Sequence, residues 1–387
     1  MSGAPAREPR GWRRAASAPL ALAALLASST PAAADRLHRR GEEAPLEGRT
    51  LDVTNDGVHF RVPRGAETGD VLITWDRVRL LETDRGEFAE AFEQRRDLSV
   101  RLWRARSRVE RGDHSAAEPI LDELFTKTRG HTDSTSLIVA EGLLRCRLAR
   151  EARAAAVLPW LETHRLLSAG VKSAAYQSMP PVIDLQSGLC VQLPPIWTRS
   201  VGVEEMLADL SDHVGETPVS ARLATLYARA ARLSLGLGVE DSAEFYHSDE
   251  QWDRDGGVVV ITAFVATLER VRPRPLEVEK VLARPLREAG PLTPWALFLR
   301  GLGRVNDSNA DRRRDGLVDL LTIPALHRDE NRYLAGFAID RAAAALEQMG
   351  RSAAATSLRA EFKRTDPAHP LNNMAPPTRL SASEKQP

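Results

Sequence analysis

The chain has 387 residues, 43% of them hydrophobic, with 53 basic side chains set against 53 acidic ones. That length and apolar content suffice for a sizeable core and exclude a disordered chain. Balanced charge excludes a global field that would recruit nucleic acid or an acidic surface. The basic charge is nearly all arginine, with lysine only at 127, 172, 280, 363 and 385.

Residues 1–34 read as an export signal. Arg7, Arg10, Arg13 and Arg14 give a positive start, Ala15 to Ala27 an apolar run, and Ala32-Ala33-Ala34 a small-residue cleavage site before Asp35. The expectation is cleavage after Ala34 and a periplasmic or extracellular location, with 49 basic and 52 acidic residues left in the mature chain. No later stretch reaches the apolar length of a membrane helix, so no span is expected after cleavage. Cys146 and Cys190 are the only cysteines. In an oxidising compartment they either pair or remain buried thiols, and two alone do not make a structural zinc site.

Residues 36–82 change to a period of two. Leu51 and Val53 alternate up to Asn55-Asp56-Gly57, a hairpin signal; Val58, Phe60 and Val62 continue beyond it, and Val71, Ile73 and Trp75 form another strand. The order Gly48, Val53, Gly57-Val58, followed by Ile73, Trp75-Asp76 and Val78, resembles the small β modules at the front of secreted bacterial helical-repeat proteins. The resemblance implies a small SH3-like barrel or a curled meander with Phe60 and Trp75 in its core.

Helical periodicity then runs, with interruptions, from 87 to 364. Leu98, Leu102, Ala105 and Val109 line one face; Ala117, Ile120, Leu121, Leu124 and Phe125 line a second; Gly112-Asp113 between them suits a turn, with Asp113 as cap. Neither face is covered by so short a hairpin, so each pair must lean on another. The spacing small, seven on, small, five on, small recurs at Ala105, Gly112 and Ala117; at Gly142, Ala149 and Ala154; at Ala231, Gly238 and Ala243; and at Ala343, Gly350 and Ala355. Here the chain resembles the tetratricopeptide repeat. It departs from that family in carrying Arg101, Arg104 and Arg108 where aromatic and leucine residues are usual. The resemblance implies a mainly α fold, an α-solenoid of hairpins over 87–170 and 220–364. In the last pair Leu334, Phe337, Ala338, Ala342 and Ala345 form the stripe, and Ser352 is the expected cap.

Residues 171–219 break the pattern with two Pro-rich apolar stretches, at 179–181 and 193–197, and are expected to pack on the array. Their alternative is a partner surface at Ile196 and Trp197, joined by Tyr246. Residues 365–387 read as a disordered tail.

Catalytic motifs are missing from the sequence. It has no His-Glu-x-x-His, no Gly-x-Ser-x-Gly and no phosphate loop. The acidic run 246–256 and the Asp307, Asn309, Asp311 series lack the full calcium-loop pattern. No metal, cofactor or nucleic acid is expected. The expectation is a non-catalytic scaffold that binds a protein or an envelope component. The rival is an enzyme on cell-wall or extracellular polymers, with Asp249, Glu250 and Asp253 beside Trp197.

Overall fold

The computed structural model describes residues 34–64, 67–199, 202–212, 218–239, 255–269 and 289–373. Five strands come first: β1 (Asp35–Arg39), β2 (Leu46–Val53), β3 (Gly57–Arg64), β4 (Glu67–Thr74) and β5 (Val78–Glu82). They pair antiparallel in the order β4-β3-β2-β1-β5, with register shifts after Thr50 and after His38. The sheet is open. β4 and β5 stand at opposite edges, so the expected barrel does not close, and β1 is a strand the alternation did not reveal.

Among the described residues eleven α-helices follow: α1 (Gly86–Glu110), α2 (His114–Thr128), α3 (Ser134–Ala149), α4 (Arg153–Ser168), α5 (Val203–Asp212), α6 (Pro218–Leu235), α7 (Gly256–Glu269), α8 (Thr293–Val305), α9 (Ala310–Leu326), α10 (Arg332–Gln348) and α11 (Ser352–Thr365). The protein is therefore mainly helical with a small sheet in front. Each helix contacts its successor, and α1 also meets α3, α4 meets α6, and α8 meets α10.

One local device ends many of these helices. After α1 the amide of Gly112 donates to Val109 O and that of Asp113 to Arg108 O, with Gly112 at φ +79°. The same pair of bonds closes α4 at Gly170, α6 at Gly236 and α10 at Gly350, each in the left-handed region. Glycine takes that conformation without a Cβ clash, which is why it stands there. After α3 the residue in that position is Glu151, at φ +58°, two positions beyond the Ala149 that the repeat spacing put at the turn. An L-residue there carries strain, so Glu151→Gly is expected to raise stability by roughly 0.5–1 kcal/mol. Urea melts of the two proteins check this, and a variant less stable than the parent contradicts it. The expected caps are not made. Asp113 and Ser352 accept no capping bond, whereas Asp133, Asn309 and Asn331 cap α3, α9 and α10.

The sheet has no core of its own. Leu37, Val58, Phe60 and Trp75 share one apolar cluster with Phe92, Leu102, Leu121 and Leu143 of α1 to α3. Trp75 stacks on Phe92 at 6.3 Å and donates to Thr54 O. The β2–β3 turn caps a helix: Asp56 Oδ1 accepts from Ser134 N at 2.6 Å, and Asn55 O accepts from Thr135 Oγ1 at 2.8 Å. Asp76, 1% exposed, receives Arg106 at 3.0 Å. A second cluster runs from α4 through α10, and α3 touches both, with Leu143 on one side and Leu144 on the other.

Asp35 ties the start of β1 down. Burial alone would raise its carboxyl, but the Thr50 amide at 2.6 Å and the Thr83 and Arg85 side chains hold it below the usual range. A depressed carboxyl stabilises fully above its unfolded value near pH ~4 and loses that stabilisation as pH falls through the folded value. Asp35→Asn is thus expected to lower the denaturation midpoint at pH 7, by an amount that shrinks as pH falls below about 4. A difference constant from pH 7 to pH 2 contradicts it.

Past Thr365 the chain turns back instead of starting the expected tail. Arg332 pairs with Asp366. His369, 3% exposed, packs among Tyr333, Phe337 and Phe362, where its Nε2 donates to Tyr333 O at 3.0 Å and its Nδ1 accepts from Leu371 N. Residues 374–387 of that segment lie outside the described residues, as do 1–33 of the stretch read as an export signal.

Candidate binding cavity

Ile183, Leu189, Cys190, Leu193, Ile196 and Trp197 of the Pro-rich segment lie in the second core, while Ala175 and Tyr176 join the first and Leu185 is exposed. Trp160 of α4 donates to Gly188 O at 3.0 Å, Tyr227 of α6 to Leu193 O at 2.6 Å, and Tyr333 of α10 to Ile196 O at 3.0 Å. Val191 O accepts twice, from Trp295 of α8 at 2.9 Å and from Asn331 at 2.7 Å. An aperiodic segment has carbonyls without ladder partners, and burial makes each one costly unless it is paired. Aromatic donors from four helices supply those partners here.

This placement removes the surface reading of Ile196 and Trp197. They are 1% and 3% exposed, because apolar side chains flanked by prolines gain more from the core than from water. Trp197 meets Tyr227 edge-on at 6.4 Å and so offers no free face for a sugar ring. Tyr246, Ala243, Asp249, Glu250 and Asp253 lie outside the described residues. Asp255, the last acid of that run, caps α7 by accepting from Gly257 N and Val258 N. Asn309 and Asp307 use their oxygens at the start of α9. Cys146 and Cys190 are buried free thiols, each pushed up to about 12 chiefly by burial. Among the described residues no group of three or more His, Cys, Asp or Glu side chains is placed to hold a metal ion. Nor, among those residues, is any helix long and apolar enough to cross a membrane.

The small residues of the repeat spacing fall mostly where backbones approach. Ala105, Ala117, Ala231, Ala343 and Ala355 are fully buried, and Ala154 is 8% exposed. A Cβ on Gly142 would run into Tyr176 and Leu121. Ala149 is exposed at the end of α3, and Gly238 lies beyond α6 with open space around it.

What the sequence did not reveal is a cavity of about 250 Å³ where the ends of α6, α7 and α8 meet α10. Its lining is mixed: Leu233, Leu268, Leu302, Val305, Ala344 and Ala345 alternate with the polar Ser234, Thr267, Asn306, Arg341 and Gln348, and more of its surface is polar than apolar. The hydroxyls of Ser234 and Thr267 donate back into their own helices, to Ala230 O and Ala263 O, and Asn306 Nδ2 donates to Leu302 O. Arg341 is different. It lines the cavity, is exposed, and makes no hydrogen bond or ion pair with any described residue. The apolar side chains of that lining, beside a guanidinium that pairs with no described residue, suit a ligand group that joins an apolar part to a carboxylate. The one sequence signal was Arg341 itself, three after Ala338 and four before Ala345, a charge in step with an apolar stripe. Comparison with family models, with curated proteins and with solved structures finds no match to this chain.

Proposed function

We propose that the chain is exported, loses its first 34 residues, and acts outside the cytoplasm as a non-catalytic binding protein. In this reading its helices stack as degenerate tetratricopeptide-like hairpins, and a protein or envelope component docks by seating an apolar side chain and a nearby carboxylate at Arg341. Support for the stacking comes from the succession of helix contacts, with second-neighbour contacts at α1–α3, α4–α6 and α8–α10, and from the repeated helix ends. The observation that carries the binding reading is the cavity lined by Arg341, which pairs with no residue among those described.

The test is capture from an envelope fraction by the mature chain, side by side with Ala344→Trp, which fills the cavity, and Arg341→Glu, which reverses its charge. A partner retained by the parent and lost by both variants, all three melting alike, is the expected result. No retained partner, or one held equally by all three, refutes the reading. Fractionation of cells tests the export arm separately: the mature chain must start at Asp35 and lie outside the cytoplasm.

A further inference from the structure

The overall charge of zero conceals a local excess where the sheet meets α1. Arg40 follows β1, and its Nε donates to Val78 O at 3.0 Å while its NH2 reaches Ser99 Oγ. Its guanidinium lies over the ring of Trp103 at 4.8 Å. Val78 and Trp103 are the chain neighbours of Arg79 and Arg104, both exposed. Burial lowers the Arg40 pKa, and the charges of Arg79 and Arg104 lower it further, with no acid acting in the opposite direction. Arg79 and Arg104 themselves make no ion pair among the described residues. Glu42 pairs with Arg39, Asp76 with Arg106, Glu82 with His38 and Glu123 with Arg101.

Three like charges held together cost free energy that water and salt only partly relieve. A bound anion relieves it fully, and planar guanidinium forks match the oxygens of phosphate. We propose that Arg40, Arg79 and Arg104, floored by Trp103, form a binding site for a phosphate-bearing anion at the junction of β1, β5 and α1. The indole fixes Arg40 in place, so one donor group is pre-organised, while Arg79 and Arg104 close from the solvent side. The site is remote in sequence from the cavity at Arg341 and stands whether or not that cavity binds a partner.

The probes are inorganic pyrophosphate, followed by titration calorimetry at low ionic strength, and sedimented vesicles of phosphatidylglycerol with phosphatidylcholine vesicles as blank. The mature chain is compared with Arg79→Gln/Arg104→Gln and with Arg96→Gln, an exposed arginine paired with Glu93. The double variant is expected to bind at least about tenfold more weakly, the scale of lost charge-assisted hydrogen bonds, and Arg96→Gln to bind as the parent does. Both exchanged side chains are exposed and their removal relieves like-charge repulsion, so the double variant should melt no lower than the parent. Loss confined to pyrophosphate identifies a soluble phosphate ligand, and loss confined to vesicles a phosphoryl headgroup; either supports the site. Binding of neither probe by the parent, or equal binding by the parent and the double variant, overturns it.

Discussion

Trp160→Ala is expected to destabilise the protein by about 3–5 kcal/mol, the range for removing a fully buried tryptophan. The indole is 0% exposed, sits 4.8 Å from the ring of Tyr227 and is the donor to Gly188 O. Its removal opens a void between α4 and α6 and leaves a carbonyl of the 171–199 segment unpaired. Trp160→Phe separates the two effects. It keeps most of the packing and loses only the donor, for about 1–3 kcal/mol. Urea denaturation gives the free energies, and limited proteolysis reads out the segment: cleavage within 171–199 should appear in the alanine variant before the helices are cut. A loss below about 1 kcal/mol in Trp160→Ala would mean that the site is not a packed core.

Gly316→Val is the second large effect. A Cβ at 316 would stand 2.7 Å from Val305 N and 2.9 Å from Gly301 O, and one at Gly301 would meet Gly316 O at 3.1 Å. The two glycines let the backbones of α8 and α9 touch, and the obstacle is backbone, which cannot swing aside as a side chain does. Overpacking usually costs about 1–3 kcal/mol, and a contact of this kind belongs at the upper end or beyond. The same displacement strains the ion pairs of Arg300 and Arg304 with Asp319, which link these helices at 2.6 and 3.0 Å. Gly86→Val, at the start of α1, is the contrasting exchange, since a Cβ there meets nothing within 4 Å. The expected result is a midpoint far lower for Gly316→Val than for Gly86→Val; equal midpoints contradict the close approach.

Much of the helical layout was legible because it rests on local rules. The stripe through Leu102, Ala105 and Val109 and the turn at Gly112 each follow from neighbours a few residues apart. Other features were set by distant partners. The segment 171–199 is held by donors up to 140 positions away, as Asn331 is from Val191, and no window of sequence shows that pairing. Of the barrel and the meander the sequence left open, the closed form fails; strand β1 was missed because it carries a single deeply buried apolar residue, Leu37, and owes its place to Asp35, which accepts from Thr50 and Arg85. His369 was assigned to a tail because Pro367 and Pro370 end the periodicity, yet its ring fills the space that Gly336 leaves on α10. The cavity stayed hidden for a related reason: its walls come from four helices, and only Arg341 carries a mark of its own.

The proposed function depends on the described helices between 86 and 373 forming one packed succession with the Pro-rich segment built into it. Amide hydrogen exchange over 183–197, followed by mass spectrometry on the mature chain, tests that most directly. The amides of Asp184, Gly188 and Leu193, which donate to Leu189 O, Asp184 O and Cys190 O, should exchange as slowly as those of α4 and α8. Exchange across the whole segment within seconds, while α4 and α8 stay protected, would place it outside the core and contradict the account.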